Sequence, residues 1–483
     1  VTAPDWTRSP YARVAALAAA AGLCWLPYAG RRLSPDEGGL LLLAAQWSPG
    51  SSLYGDYFVD RPPGLIALAA VADVAGGGWA LRALGILAVV TTVLLSGVLG
   101  RLAAPDRASA PVLTAATAAL LTATPLFGGT VVNGEVLGLP FLLGGIVAAM
   151  CAARSESGSA ALWWGVLAGA SGAGAALVKQ SLLDVFVFVV VLCLVSRRAR
   201  PVLGVAIGAA ATVGVAVWAA AARGTEPGEL WDAVVVFRQQ AAAVIASSAT
   251  GSTPQRLGAM LLALVGTGAP VLAVVLARRL PTRAAPGVVD LRWPAIATLA
   301  WELFVVLGGG SYWLHYLMGL VPGLVLLAGA ACQRPLPGRR ALRTAYALMA
   351  VSTVGALAFV AVQPIQRPEH PVIAWLDDHA TPGDTAVVAF GAPNILQATG
   401  LRSPYPDLWS LPVRVHDPEL RDLGELLDGS DRPTWVVVAG KSLGSWGIDG
   451  TSANRVLADH YDLQATADGW SIYRETPSDK DAE

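Results

Sequence analysis

Long apolar runs recur along this chain, and they constrain its fold more than any other feature. A bilayer core of about 30 Å takes about twenty mostly apolar residues per helix. Runs of that kind lie near 14–30, 82–100, 110–126, 135–153, 160–178, 181–196, 201–222, 257–277, 293–309, 313–332 and 341–361. They predict a polytopic α-helical membrane protein of about eleven spans. The run ending at Gly30 reads as a retained first span, because it is long for a signal-peptide core and leads straight into a polar stretch. Of the 483 residues 54% are hydrophobic and 14% charged, against about 25% charged in soluble proteins. A soluble enzyme, a disordered chain and a disulfide scaffold are excluded. Lys and Arg number 33 against 34 Asp and Glu, so no basic field points to nucleic acid. Cys24, Cys151, Cys193 and Cys332 sit far apart in apolar runs and read as inert packing.

Basic residues set the orientation. Arg101, Arg107, Arg154, Arg197, Arg198, Arg200, Arg278, Arg279, Arg283, Arg334, Arg339, Arg340 and Arg343 occupy every second connection, which places those connections in the cytoplasm. Arg31 and Arg32 run against this rule, and five agreeing loops outweigh them. The N-terminus is then cytoplasmic, and the odd span count leaves the C-terminal part outside. Residues 363–483 lack a membrane-length run; the short apolar segments Ala386–Phe390 and Trp435–Ala439 alternate there with helix-like stretches. The expected division is therefore 1–362, a transmembrane domain with 31–81 as its first outer loop, and 363–483, an extracytoplasmic α/β domain. From position alone the second domain is expected to recognise an acceptor and carry no chemistry.

Ionisable and aromatic residues gather in the outward connections. Ser34-Pro35-Asp36-Glu37 opens the first outer loop, where Ser34 or Asp36 can cap a helix. Asp36 and Glu37 then either serve that helix N-terminus, where acids are favoured, or carry chemistry. Tyr54-Gly55-Asp56 and Asp60-Arg61-Pro62-Pro63-Gly64 follow; two prolines fix the backbone and Arg61 can grip an anion. Arg82, Asn133-Gly134-Glu135, Lys179-Gln180 and Tyr312 to Tyr316, with His315 among them, face the same side from four further spans. Each has a bland reading as a snorkelling or capping residue. Asp184 and Glu302 lie deeper, where acids are costly, and Glu302 is either functional or a neutralising partner for Lys179 or Arg82.

An outer loop that opens Asp36-Glu37, continues with Tyr54-Gly55-Asp56 and reaches Arg61-Pro62-Pro63-Gly64 resembles the membrane glycosyltransferases of the GT-C class. The similarity is nearest to the branch of protein O-mannosyltransferases and lipid A aminoarabinose transferases. It runs on through Arg82, Asn133–Pro140, Lys179-Gln180 and His315-Tyr316 with Pro322 behind, and so spans most of the membrane portion. The Ala-, Gly- and Arg-rich composition resembles that of an actinobacterium. The resemblance implies a polyprenyl-phosphate-linked sugar as donor, no further cofactor, and inverting transfer to a glycan, lipid or protein at the outer membrane face.

Asp36 matches the family's catalytic acid and would take the acceptor hydroxyl's proton, since an inverting displacement needs a base opposite the leaving group. The leaving phosphate needs cations, for which Arg61, Arg82 and Lys179 are the candidates. Glu37, Asp56, Asp60, Glu135, Gln180, Tyr312, His315 and Tyr316 complete the expected substrate-binding set. One departure stands out: Arg61 precedes the Pro-Pro pair where relatives often carry His or Lys. No cluster shows metal-ligand spacing, which leaves metal dependence open. The rival reading is a transporter or flippase for a lipid-linked glycan, although such proteins keep their charges near the bilayer midplane. A third is a non-catalytic scaffold that binds cell-wall polymer.

Overall fold

A computed structural model describes residues 9–197, 200–247, 252–282, 288–334, 339–445 and 447–476. Arg198 and Arg283, singled out above, lie outside the described residues. The chain begins with α1 (Pro10–Ala29) and two short helices, α2 (Pro35–Ala44) and α3 (Pro63–Val74). An apolar series follows: α4 (Gly78–Ala103), α5 (Ala110–Ala123), α6 (Gly134–Arg154), α7 (Gly158–Val178), α8 (Asp184–Ser196) and α9 (Arg200–Ala221). Next come α10 (Pro227–Trp231), a π-helical turn, α11 (Phe237–Ser247), α12 (Thr253–Gly266) and α13 (Ala269–Ala277). The apolar helices end with α14 (Arg292–Gly308), α15 (Val321–Ala331) and α16 (Arg339–Val362). The rest alternates α17 (Glu369–His379), β1 (Ala386–Ala389), α18 (Asn394–Thr399), α19 (Ser410–His416) and α20 (Arg421–Asp428), then β2 (Trp435–Ala439), α21 (Thr451–His460), β3 (Tyr461–Ala467) and β4 (Trp470–Glu475).

Among the described residues seven helices are long and apolar enough to cross a membrane, or eight if α12 and α13, bent by 60° at their junction, form one span. The expected runs near 110–126, 181–196 and 293–309 fall on α5, α8 and α14, of 14, 13 and 17 residues. These are shorter than the twenty or so that a straight crossing takes, so length alone gives fewer spans than the apolar runs suggested.

Two compact units share the chain: Val1–Arg31, Arg82–Ala216 and Ser252–Pro364 make the first, and Arg32–Leu81, Val217–Gly251 and Ile365–Glu483 the second. The linear boundary expected at 362 falls beside one of these joins, but the first outer loop belongs with the C-terminal segment. In the first unit, α7 and α9 meet backbone to backbone. Gly165 and Gly169 face Gly204 and Gly208, each backed by main-chain atoms that a Cβ would strike. Two facing Gly-x-x-x-Gly stretches allow this close packing where lipid supplies no hydrophobic drive between helices.

The second unit is built on a four-stranded sheet of order β1-β2-β4-β3, with β1 parallel to β2 and the other pairs antiparallel. Side chains alternate across a strand, and the two faces bury different partners. Val387, Ala389, Val436 and Val438 pack with Leu423 and Leu427 of α20 and Leu457 of α21. Ala386, Val388, Trp435 and Val437 face the other way, onto Val372 and Leu376 of α17 and onto Leu43, Leu53, Tyr57, Val59 and Ile66. Those last five come from the first outer loop. Their burial against the sheet is why the loop and the C-terminal segment form one core. It also explains why Leu43 of α2 is buried.

Candidate functional site

In the second unit α2 starts with a capping box. The Ser34 Oγ accepts from the Glu37 amide at 3.2 Å, and Glu37 Oε2 accepts from the Ser34 amide at 2.9 Å. Pro35 occupies the first turn, where a missing N–H costs nothing. Such a cap is worth about 1 kcal/mol and fixes the direction of the helix. Glu37, at 0% exposure, is thus spent on the cap, the bland alternative raised for it. Asp36 beside it is exposed. Behind α2 stands the start of α18: a Cβ on Gly38 would lie 2.5 Å from Asn394 Cα, and Asn394 Nδ2 donates to the Leu33 carbonyl at 3.3 Å. The C-terminal segment therefore touches the helix that carries Asp36.

The Pro-Pro motif lies at a second ionic group in this unit. Asp60 is buried and takes two guanidinium groups, Arg61 at 2.9 Å and Arg238 at 2.5 Å. The two arginine side chains keep 35% and 39% exposure, so both are part-exposed. Gln46, just past α2, fixes the approach by bonding both the amide and the carbonyl of Tyr57, at 2.8 and 3.2 Å. The Tyr54 hydroxyl donates to the Arg61 carbonyl at 3.0 Å. Burial, with Asp60 as a second cause, pushes the Tyr54 phenol above its ordinary pKa and keeps it a donor. Asp56 is exposed one turn earlier.

Sequence reading missed Arg238, which sits 178 residues from Asp60. One signal was there: a base in an outward connection runs against the positive-inside trend. It also missed a pairing in the C-terminal segment, where His416 Nδ1 lies 3.1 Å from the Asp407 carboxylate.

The first unit gathers another part of the expected set. Asn133 caps α6 by accepting from the Val136 amide at 3.0 Å, which sets Glu135 in the first turn. Glu135, buried, forms an ion pair with Lys179. The Lys179 ammonium lies 4.4 Å from the Tyr316 ring centre, and His315 Nε2 is 4.0 Å from the same Glu135 oxygen. Gly128, at φ +76°, lets the chain pass close to His315. Gln180 and Tyr312 are half-buried, and Tyr312 has φ +56°, a strained backbone of the kind found at functional sites. Arg82 stands apart: buried, it donates to the carbonyls of Tyr28 and of Arg31, the latter at 2.7 Å. It thus closes the C-terminal end of α1. The deep acids lie beside each other, Asp184 next to Glu302, and Glu302 Oε1 accepts from the Gly323 amide at 2.7 Å. Glu302 is therefore the neighbour of Asp184, where Lys179 or Arg82 was weighed. Among the described residues no three His, Cys, Asp or Glu converge as metal ligands.

No protein-family model matches the sequence, and no curated protein is significantly similar to it. Solved structures are similar in fold. ArnT of Cupriavidus metallidurans bound to undecaprenyl phosphate superposes with a TM-score of 0.64 at 15% identity, covering 96% of this chain and 98% of that one. Its apo form gives 0.61 at 14%, covering 96% and 99%. The Archaeoglobus fulgidus oligosaccharyltransferase, in complex with Zn and sulfate, gives 0.55 at 10%, covering 96% of this chain and 73% of that one.

Proposed function

We propose that this chain, which has the fold of GT-C membrane glycosyltransferases, is an inverting glycosyltransferase, moving a sugar from a polyprenyl-phosphate-linked donor to an acceptor at the outer face of the cytoplasmic membrane. The observation that carries this reading is the Arg61–Asp60–Arg238 group, in which one buried carboxylate orients two part-exposed guanidiniums. Paired guanidiniums suit a phosphate, which accepts charge-assisted hydrogen bonds on several oxygens. The fold shared with an enzyme bound to undecaprenyl phosphate supports the same ligand class. Lys179 keeps 18% exposure and Arg82 5%, against 35% and 39% for Arg61 and Arg238, so we assign the phosphate to the last two.

Asp36 then acts as general base. It accepts the proton of the acceptor hydroxyl; the oxygen bonds to the anomeric carbon from the face opposite the phosphate; and the carbon–oxygen bond to the phosphate breaks, with its electron pair leaving on the lipid phosphate. A base exposed on a rigid, capped helix meets the positional demand of that step. The N-terminus lies in the cytoplasm in this reading and the 365–476 segment outside. The test is release of polyprenyl phosphate from radiolabelled polyprenyl-phosphate sugars by the purified full chain. Asp36→Asn should lower turnover by roughly 10²–10⁴-fold, the usual worth of a positioned base, without loss of donor binding. Near-normal turnover in that variant would remove Asp36 from the role.

A further inference from the structure

The His416–Asp407 pair is an acid–base couple of the second unit that the proposed mechanism leaves unused. Asp407 is buried, and both its oxygens lie 3.1–3.2 Å from His416 Nδ1. An ionised carboxylate only accepts, so Nδ1 carries the proton and the imidazole is locked in one orientation. In that orientation the ring meets the Phe58 ring edge-on at 4.6 Å and the Phe237 ring at 5.3 Å, and those two rings lie 4.9 Å apart. Phe58 is two residues before Asp60, and Phe237 immediately precedes Arg238.

Both sides of this three-ring cluster are tied to the stretch that holds the histidine. The Phe58 amide donates to the Pro406 carbonyl at 3.0 Å, next to Asp407. On the other side Arg414, two residues before His416, donates to the Val244 carbonyl of α11 at 3.3 Å. Helix α19 is thereby fastened to α11 at two points, and α11 is the helix that delivers Arg238. Resting on the phosphate reading above, we propose that His416 is a positioning residue for the arginine pair. Fixed by Asp407, it seats Phe58 and Phe237 and so sets the spacing between the Arg61 and Arg238 guanidiniums that a lipid phosphate must span. Such spacing matters because a displacement of about 1 Å in a binding constellation is enough to cost much of its effect.

The experiment measures undecaprenyl phosphate binding to the full chain in lipid nanodiscs, reading dissociation constant and stoichiometry separately. His416→Ala should weaken binding by about tenfold at unchanged stoichiometry. A merely structural loss would do the reverse, lowering the bound fraction at unchanged affinity, and would overturn the proposal. Replacing both partners of a hydrogen bond by apolar groups of similar shape can be nearly neutral, the more so here because the bond is only part-buried. The double variant His416→Phe with Asp407→Leu keeps the ring and strands no carboxylate, so its affinity should stay within about twofold of the parent. If His416→Ala does not fold, a double variant that binds about tenfold weaker still refutes the seating role. Arg238→Ala is the arm that tests the underlying reading. If it binds undecaprenyl phosphate as the parent does, the phosphate assignment fails and takes this inference with it. If it weakens binding while His416→Ala does not, only the role of His416 falls.

Discussion

The two units of the chain each hold an ionic group, and the two groups are built on opposite principles. In the first unit one carboxylate, Glu135, neutralises one ammonium, Lys179, with an aromatic face against the cation. In the second, one carboxylate, Asp60, is shared by two guanidiniums that both reach the surface. The first arrangement consumes its charge internally. The second sets two part-exposed cations on one buried acid. Sequence alone ranked Lys179 and Arg61 as equal phosphate candidates, and what separates them is exposure, 18% for the Lys179 side chain and 35% for that of Arg61.

The contrast is sharpest if the buried partner in the first unit is left alone. Lys179→Ala should destabilise the protein by about 3–5 kcal/mol, since an uncompensated buried carboxylate remains. Adding Glu135→Gln should recover most of that loss, as followed by thermal unfolding in nanodiscs. If Lys179→Ala is instead stable and only weakens undecaprenyl phosphate binding, the two groups do the same job and the comparison collapses.

A middling effect is expected where the second unit is packed most tightly. Gly38→Val forces atoms onto Asn394, and overpacking of this kind costs roughly 1–3 kcal/mol. Because Gly38 is two residues from Asp36, turnover should fall with stability, whereas Gly38→Ala should show a smaller fall in both. Valine tolerated with full turnover would mean that α18 does not brace α2.

The smallest effect concerns pH. Burial raises the Asp384 carboxyl, but hydrogen bonds from the Thr381 amide, the Trp435 indole and the Thr381 hydroxyl outweigh it and hold the pKa below the ordinary value. A depressed carboxyl stabilises the fold above its unfolded pKa of about 3.9 and loses that contribution as pH falls through the folded value. Asp384→Asn should thus be slightly less stable than the parent near neutrality, and the gap should close in acid. A gap that widens toward low pH would contradict the sign.

What the sequence made legible was local. The sequence offered Ser34 or Asp36 as the cap of α2, and Ser34 takes that place. The apolar segments at Ala386–Phe390 and Trp435–Ala439 became neighbouring strands, and Pro382-Gly383-Asp384 became the turn between α17 and β1, with Gly383 at φ +101°. The positions of Arg238 and His416 were not legible, because their partners are fixed by pairing over long stretches of chain. Hydrophobic period reports which face of an element is buried and not what it meets. For the same reason the first outer loop read as an appendage of the membrane helices, although Leu53, Tyr57, Val59 and Ile66 had to be buried on something. The helical membrane character of the chain follows from apolar runs, though the number of spans does not; the placement of Asp36 follows from packing that joins residues 33 and 394.

That last pairing has a consequence in time. Translation is directional, and at about 5–20 residues per second the stretch of about 280 residues between the first outer loop and the C-terminal segment takes roughly 15–60 s to appear. Throughout that interval the segment bearing Asp36 has been made while the sheet that buries it has not. Its apolar side chains wait on lipid or a chaperone, and neither α2 nor the Asp60 motif has the wall it rests on. A nascent chain caught before the C-terminal segment holds Asp36, Arg61 and, in its later part, Arg238, but has no seat for them. The second unit is therefore complete only late in synthesis.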